Sequence, residues 1–222
     1  MKRGLLLLAL FPVVLLAACG GGGDSSTTTS ASGTTTGASD VTCSTVSAPS
    51  TEARTGKAPT TSLDPSKTYE VKMETNCGDF TITLDQKQSP KTTASFVALV
   101  NDGFYDKTVF HRIVPDFVIQ GGDPLGTGSG GPGYSVDEKP PANLAYTKGT
   151  VAMAKSSAEP PGRSGSQFYV VTGADAGLPP EYALVGKVTE GLDVVERIGK
   201  LGTPAEKPKQ PIVIEKMTIE HG

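Results

Sequence analysis

The stretch FHRIVPDFVIQGGDPLGTGSGGPGY, residues 110–134, decides the fold. It holds two short apolar runs, FHRIV and FVIQGG, separated by Pro115 and Asp116. Apolar runs of this length, bounded by turn formers, read as strands. Side chains alternate along a strand, so Arg112 faces away from its neighbours His111 and Ile113. By the same rule Phe117 and Ile119 share one face, and Val118 and Gln120 share the other. A glycine-rich loop follows, in which Asp123 reads as a residue that fixes the loop rather than as a metal ligand.

Working outward, YEVKMETNCGDFTITL (69–84) has two runs of alternating character around Asn76-Cys77-Gly78-Asp79, as in strands meeting at a turn. In SPKTTASFVALVNDGFY (89–105) the period changes. Ala94, Val97, Ala98 and Asn101 form a helical stripe, opened by Ser89-Pro90 and ended by Gly103. TVAMA (150–154), SQFYVVT (166–172) and ALVGKV (183–188) are further short strands, GLDVVERIG (191–199) is a second helix, and PIVIEKMTI (211–219) is a closing strand. Many short strands with two helices describe a mainly-β domain. A closed antiparallel barrel fits, with helices at its ends, although an open sandwich has the same pattern.

The 110–134 block resembles the signature of the cyclophilin family. GTVAMAKS…GSQFYVVTG (149–173) and LPPEYALVGKVTEGLDVVERI (178–198) continue the likeness in the family's order. The resemblance implies a closed eight-stranded antiparallel barrel with two capping helices, spanning 67–222. It also implies peptidyl-prolyl cis–trans isomerase activity in an outer groove, without metal or cofactor, on proline-containing peptides and unfolded proteins. With the export signal described below the expected clients are unfolded exported proteins, and a monomer is expected. Carried over position by position, Arg112 is the catalytic arginine and Gln120 assists it, with Gln167 placing groups around them. Phe117, Val118, Tyr169 and Leu178 form the pocket for the proline ring, and Ala154, Lys155 and Tyr182 line the rest of the groove. The family's pattern is altered in four places. Lys155 replaces an asparagine and puts a long cation at the rim. Tyr169 replaces a phenylalanine and adds a hydroxyl, Tyr182 replaces a histidine, and no tryptophan stands near Gly177-Leu178. The missing tryptophan implies weak binding of cyclosporin-like ligands.

These residue types suit the chemistry. Rotation about an X–Pro bond has a barrier of ~18–20 kcal/mol and needs neither nucleophile nor base. Twisting breaks amide resonance, so the proline nitrogen becomes pyramidal and gains a lone pair. A guanidinium that donates to that nitrogen binds the transition state more strongly than the planar amide. The rest of the chain offers little else. His111 and His221 are the only histidines, too few for a three-histidine zinc site, and Ser166 lacks the GxSxG elbow of a hydrolase. No basic patch invites nucleic acid. A second reading, a proline-segment binding module or holdase without turnover, shares the same groove.

The N-terminus reads as an export signal. Lys2 and Arg3 precede LLLLALFPVVLL, and LAAC then resembles the bacterial lipobox, in which Cys19 is acylated. The apolar run reaches about 18 Å, short of the ~30 Å hydrocarbon core. Residues 1–18 are therefore expected to be a lipoprotein signal peptide, and residues 19–66 a lipidated cysteine followed by a flexible Ser/Thr/Gly-rich linker. GGGGDSSTTTSASGTTTGASD, at 20–40, has no large apolar residue with which to offset the entropy of ordering. The expected location is extracytoplasmic, anchored by lipid to a bacterial cell membrane. Without the leader, the chain has eighteen basic and 23 acidic residues, a charge of −5. Cys43 and Cys77 remain. Paired, they would close a loop of ~34 residues worth about 4 kcal/mol in the chain-entropy model; both unpaired is the alternative.

Overall fold

The computed structural model describes residues 42–221, which belong to one compact unit. The expected leader, Cys19 and the first part of the expected linker lie outside the described residues. Strands β1 (Tyr69–Thr75) and β2 (Gly78–Leu84) pair antiparallel, with Val71 opposite Ile82 and Met73 opposite Phe80. Their alternation puts Val71, Met73, Phe80 and Ile82 in the core. Gly78, at φ +112°, makes the turn, where the Thr75 hydroxyl donates to the Gly78 carbonyl. That φ favours glycine.

Helix α1 (Pro90–Asn101) begins with proline at its first turn, as the sequence suggests, but Ser89 gives it no side-chain cap. The carboxylate of Glu138 takes that role from a distant loop, accepting from the Lys91 and Thr92 amides at 3.1 and 2.7 Å. A carboxylate suits a helix start, whose first N–H groups lack partners within the helix. Phe96, Leu99 and Val100 from α1 enter the core. There Phe168 meets the edges of Phe96, Tyr105 and Phe110, with centroids 5.6 to 6.1 Å apart.

The remaining elements are β3 (Thr108–Val109), β4 (Arg112–Val114), β5 (Val118–Gly121), β6 (Val136–Asp137), β7 (Thr150–Met153), β8 (Arg163–Ser164), β9 (Phe168–Val171), β10 (Leu184–Glu190), α2 (Leu192–Gly199) and β11 (Val213–His221). The main sheet runs β3-β11-β1-β2-β10-β7-β9-β5-β4. This corrects the expected closed eight-stranded barrel: the sheet has nine strands and is an open, curled half-barrel whose two edges, β3 and β4, do not pair with each other. The physical reason lies in the deciding stretch itself. VFHRIV is one apolar run but two strands, broken at Phe110 and His111. Phe110 turns into the core and donates its amide to Ile212, leaving β3 at one edge and β4 at the other. A separate ribbon of β6 and β8, two residues each, was not legible in the sequence; Arg163 donates to both carboxylate oxygens of Asp137 there, each at 2.7 Å.

Strands β5, β7 and β9 are covered on both faces. Ile119, Val151, Met153, Phe168 and Val170 face the central core, while Val118, Ala152, Tyr169 and Val171 join a second apolar cluster on the outside. This explains why FYVV and TVAM read as unbroken apolar runs rather than alternating ones.

Residues 42–66 form no helix or strand, yet they touch the domain at defined points. Cys43 and Cys77 form a disulfide, with Cα atoms 3.9 Å apart. Arg54 donates to the carbonyls of Phe104 and Asp106, and the Gly56 amide donates to Pro132.

Candidate active site

On the outer face, the register fixes which side chains meet. Arg112 of β4 lies opposite Gln120 of β5, which lies opposite Tyr169 of β9; Val118 lies opposite Val171. A polar chain runs across this face. Arg112 donates through Nη1 to Gln120 Oε1 at 3.3 Å, and Gln120 donates through Nε2 to Gln167 Oε1 at 3.1 Å. Gln167 then donates to the carbonyls of Gly128 and Gly130 at 2.9 and 3.0 Å. At the other end, Arg112 Nε donates to Glu206 Oε2 at 2.7 Å. That bond and the guanidinium charge hold the Glu206 carboxyl below its ordinary value.

Beside this chain lies the apolar cluster. Phe117, Ala154, Leu178 and Tyr182 pack against Val118, Tyr146, Ala152, Tyr169 and Val171. Ideal alternation would separate Phe117 from Gln120. The structure joins them because Phe117 precedes β5, beyond a turn in which Asp116 has φ +57° and the Phe117 amide donates to Val114. The Tyr169 hydroxyl is buried without a hydrogen-bond partner among the described residues, and burial pushes its pKa up. Tyr146, which the sequence reading did not single out, donates to the Tyr182 carbonyl and accepts from the Tyr182 amide.

Lys155 differs most from expectation. Rather than standing free at the rim, its side chain is only 6% exposed. Its ammonium lies 3.3 Å from Glu181 and 5.4 Å from the Tyr182 ring centre, and donates to the Glu159 carbonyl. Residues 156–159 and the Glu181-Tyr182 turn fold around the cation, so it ties two loops together at the wall of a cavity that Gln120, Ala154 and Gln167 also line.

Asp123 organises the glycine-rich loop. Its carboxylate accepts the amides of Leu125, Thr127, Gly128 and Ser129 at 2.7, 2.9, 2.6 and 3.1 Å. Burial opposes its ionisation, but the backbone donors outweigh that and hold the carboxyl below its ordinary 3.8. Next to Asp123, Gly122 has φ +80°, and a Cβ there would sit 2.5 Å from the Ser166 carbonyl. His111 is buried, with both ring nitrogens unpartnered among the described residues. Burial pulls its pKa below 6.5, against the influence of Asp123 and helped by Lys207 and Arg112. Among the described residues no three His, Cys, Asp or Glu side chains gather into a metal-holding cluster.

One cavity, about 620 Å³, lies beside Lys67, Asp85 and Lys187 and shares no lining residue with the Arg112 groove. A second, about 610 Å³, is lined by Gln120, Gln167, Ala154 and the glycine-rich loop. It meets the Arg112–Gln120–Gln167 chain at the two glutamines, while Arg112 itself and the recess of Phe117, Val118, Tyr169 and Leu178 lie outside its lining; the convergence of charge, amides and apolar floor, and not cavity volume, marks the site.

An arginine with donors left over thus stands beside an apolar recess on the outside of a curled β-sheet. The chain belongs to the cyclophilin-type peptidyl-prolyl cis–trans isomerases: the family described as "Cyclophilin type peptidyl-prolyl cis-trans isomerase/CLD" matches residues 70–219. It is 38% identical over 174 residues to peptidyl-prolyl cis–trans isomerase A of Mycobacterium tuberculosis, covering 70% of this chain and 94% of that one. It is 37% identical over 155 residues to peptidyl-prolyl cis–trans isomerase-like 1 of Neurospora crassa, covering 68% and 93%. The crystal structure of a Cryptosporidium parvum cyclophilin-type isomerase superposes with a TM-score of 0.64 at 34% identity, covering 69% of this chain and 98% of that one. The same parasite enzyme has been solved in the presence of the dipeptide Ala-Pro.

Proposed function

We propose that this isomerase accelerates X–Pro rotation in exported or envelope proteins, with Arg112 as the donor and the outer apolar cluster as the proline pocket. The observation that carries this reading is the held guanidinium. Nε is occupied by Glu206 and one Nη1 proton by Gln120, so among the described residues three of the five N–H donors stay available at the Nη edge. The proline ring rests on Phe117, Val118, Tyr169 and Leu178 while the preceding carbonyl swings. As the amide twists, the Nη donors meet the lone pair growing on the pyramidal nitrogen, an interaction absent from the planar ground state. The apolar floor keeps water from the rotating bond. The Ala-Pro dipeptide used with the parasite relative supports a proline-containing ligand.

The reading extends to location. The sequence LAAC after a short apolar run supports a lipidated Cys19, a bacterial lipoprotein form, and a tethered enzyme outside the cytoplasm. One preparation from the native host tests both parts. Mass spectrometry is expected to find an acylated Cys19 at the mature N-terminus. The same protein, at catalytic concentration, is expected to speed cis-to-trans conversion of an X–Pro peptide. An unmodified Cys19, or cleavage beyond it, contradicts the anchor. Tight peptide binding with no acceleration contradicts the enzymatic reading and favours a holdase.

A further inference from the structure

Residues 202–208 close over the free edge of β4. A Cβ on Gly202 would lie 2.6 Å from the Ile113 carbonyl, and Gly202 bridges to Pro208. Within this loop Thr203 donates its amide to Lys207, and Glu206 donates its amide to Thr203. Glu206 carries φ +60°, a left-handed conformation that costs a non-glycine residue free energy. That conformation lets Glu206 hold β4 twice. Its carbonyl accepts the Ile113 amide at 3.0 Å, and its carboxylate accepts Arg112 Nε at 2.7 Å.

We infer that Glu206 is a positioning residue for isomerisation, fixing the Arg112 fork so that its Nη edge faces the bound proline. This inference rests on the reading of Arg112 as the donor. A long arginine side chain has many rotamers, and a single bond from Nη1 to Gln120 would let the plane swing about that contact. A second bond, at Nε, fixes the plane of the guanidinium. Charge works in the other direction. A carboxylate beside the guanidinium weakens its field at the substrate, so a loss of activity on removing Glu206 reports position and not charge. A strained backbone kept at this residue is consistent with a role beyond stability.

The test is a double-mutant cycle in the full mature protein. Glu206→Gly suits φ +60°, keeps the carbonyl bond to Ile113 and loses only the carboxylate. It is expected to lower kcat/KM on an X–Pro peptide about tenfold, through kcat more than KM, with thermal stability unchanged or raised. Glu206→Gln keeps an acceptor for Nε and is expected to stay within about threefold of the parent. In an Arg112→Ala background, Glu206→Gly is expected to have no further effect. If Arg112→Ala impairs the enzyme but Glu206→Gly does not, the inference is wrong and the role of Arg112 stands. If Glu206→Gly acts equally in both backgrounds, or Gln is as harmful as Gly, the loop acts by another route and the inference is also overturned. If Arg112→Ala itself has no effect, the reading beneath it fails first.

Discussion

Replacing Arg112 with alanine is expected to lower kcat/KM on an X–Pro peptide roughly 100-fold while the protein stays folded. The size follows from the donor's role: removing one transition-state donor costs about 3 kcal/mol, and each ~1.4 kcal/mol is tenfold in rate. The fold should tolerate the change because Arg112 is about a third exposed and points away from the core. Its partner Glu206 is half exposed and can be rehydrated; exposed ion pairs contribute only about 0–1 kcal/mol. Arg112→Lys is expected to recover part of the activity, keeping the charge but losing the fork that reaches Glu206, Gln120 and substrate at once. The measurement is kcat/KM for each variant, with circular dichroism to establish folding. A folded alanine variant within about threefold of the parent contradicts the mechanism.

Asp123→Ala is expected to give the largest loss of stability among the site's surroundings, about 3 kcal/mol in urea unfolding, together with a fall in activity. The carboxylate is buried and accepts four backbone amides, although Thr127, Gly128 and Ser129 are themselves exposed; hydrogen bonds to a charged group contribute about 1.5–3 kcal/mol, less where water can replace the lost acceptor. Activity falls because the same loop presents the Gly128 and Gly130 carbonyls that hold Gln167, and through it Gln120. The pH dependence has a defined sign. Because the folded carboxyl lies below 3.8, the stability it contributes is present above that value and is lost as pH falls through the folded pKa. Asp123→Asn is expected to flatten this acid limb. An unchanged acid limb in the asparagine variant would show that Asp123 is not the group responsible.

Much of this architecture was legible in the sequence because it depends on local period. The alternation around Cys77, the position of α1 and the apolar runs of β5, β7 and β9 each fall where the residues indicate. The expected stripe of α1 does not, since Asn101 is exposed and Phe96, Leu99 and Val100 enter the core on a helix buried nearly all round. The open sheet was not legible. Nothing within VFHRIV marks the break at Phe110, which depends on that ring finding Phe168, 58 residues later, in the core. Glu138 as the helix cap and the pairing of β6 with β8 are equally non-local. At the site, alternation placed Val118 and Gln120 together but set Phe117 apart, because a turn at Asp116 is invisible to a period-2 rule. The family resemblance supplied Phe117, Gln167 and Tyr182. Neither route led to Glu206: it lies 94 positions from Arg112, in a loop with no recognisable motif. The burial of the Lys155 side chain was not legible for a related reason, since its partner Glu181 meets it only after two loops have folded together.

Substrate is expected to bind the outer groove of Arg112 and not the cavity beside Lys67 and Lys187. Titrating isotopically labelled protein with an X–Pro peptide and following its amide resonances tests this most directly. The largest shifts are expected on Arg112, Phe117, Gln120 and Tyr169, with exchange between the peptide's cis and trans forms accelerated in the same sample. Shifts confined to Lys67, Asp85 and Lys187, with the Arg112 groove silent, would contradict it.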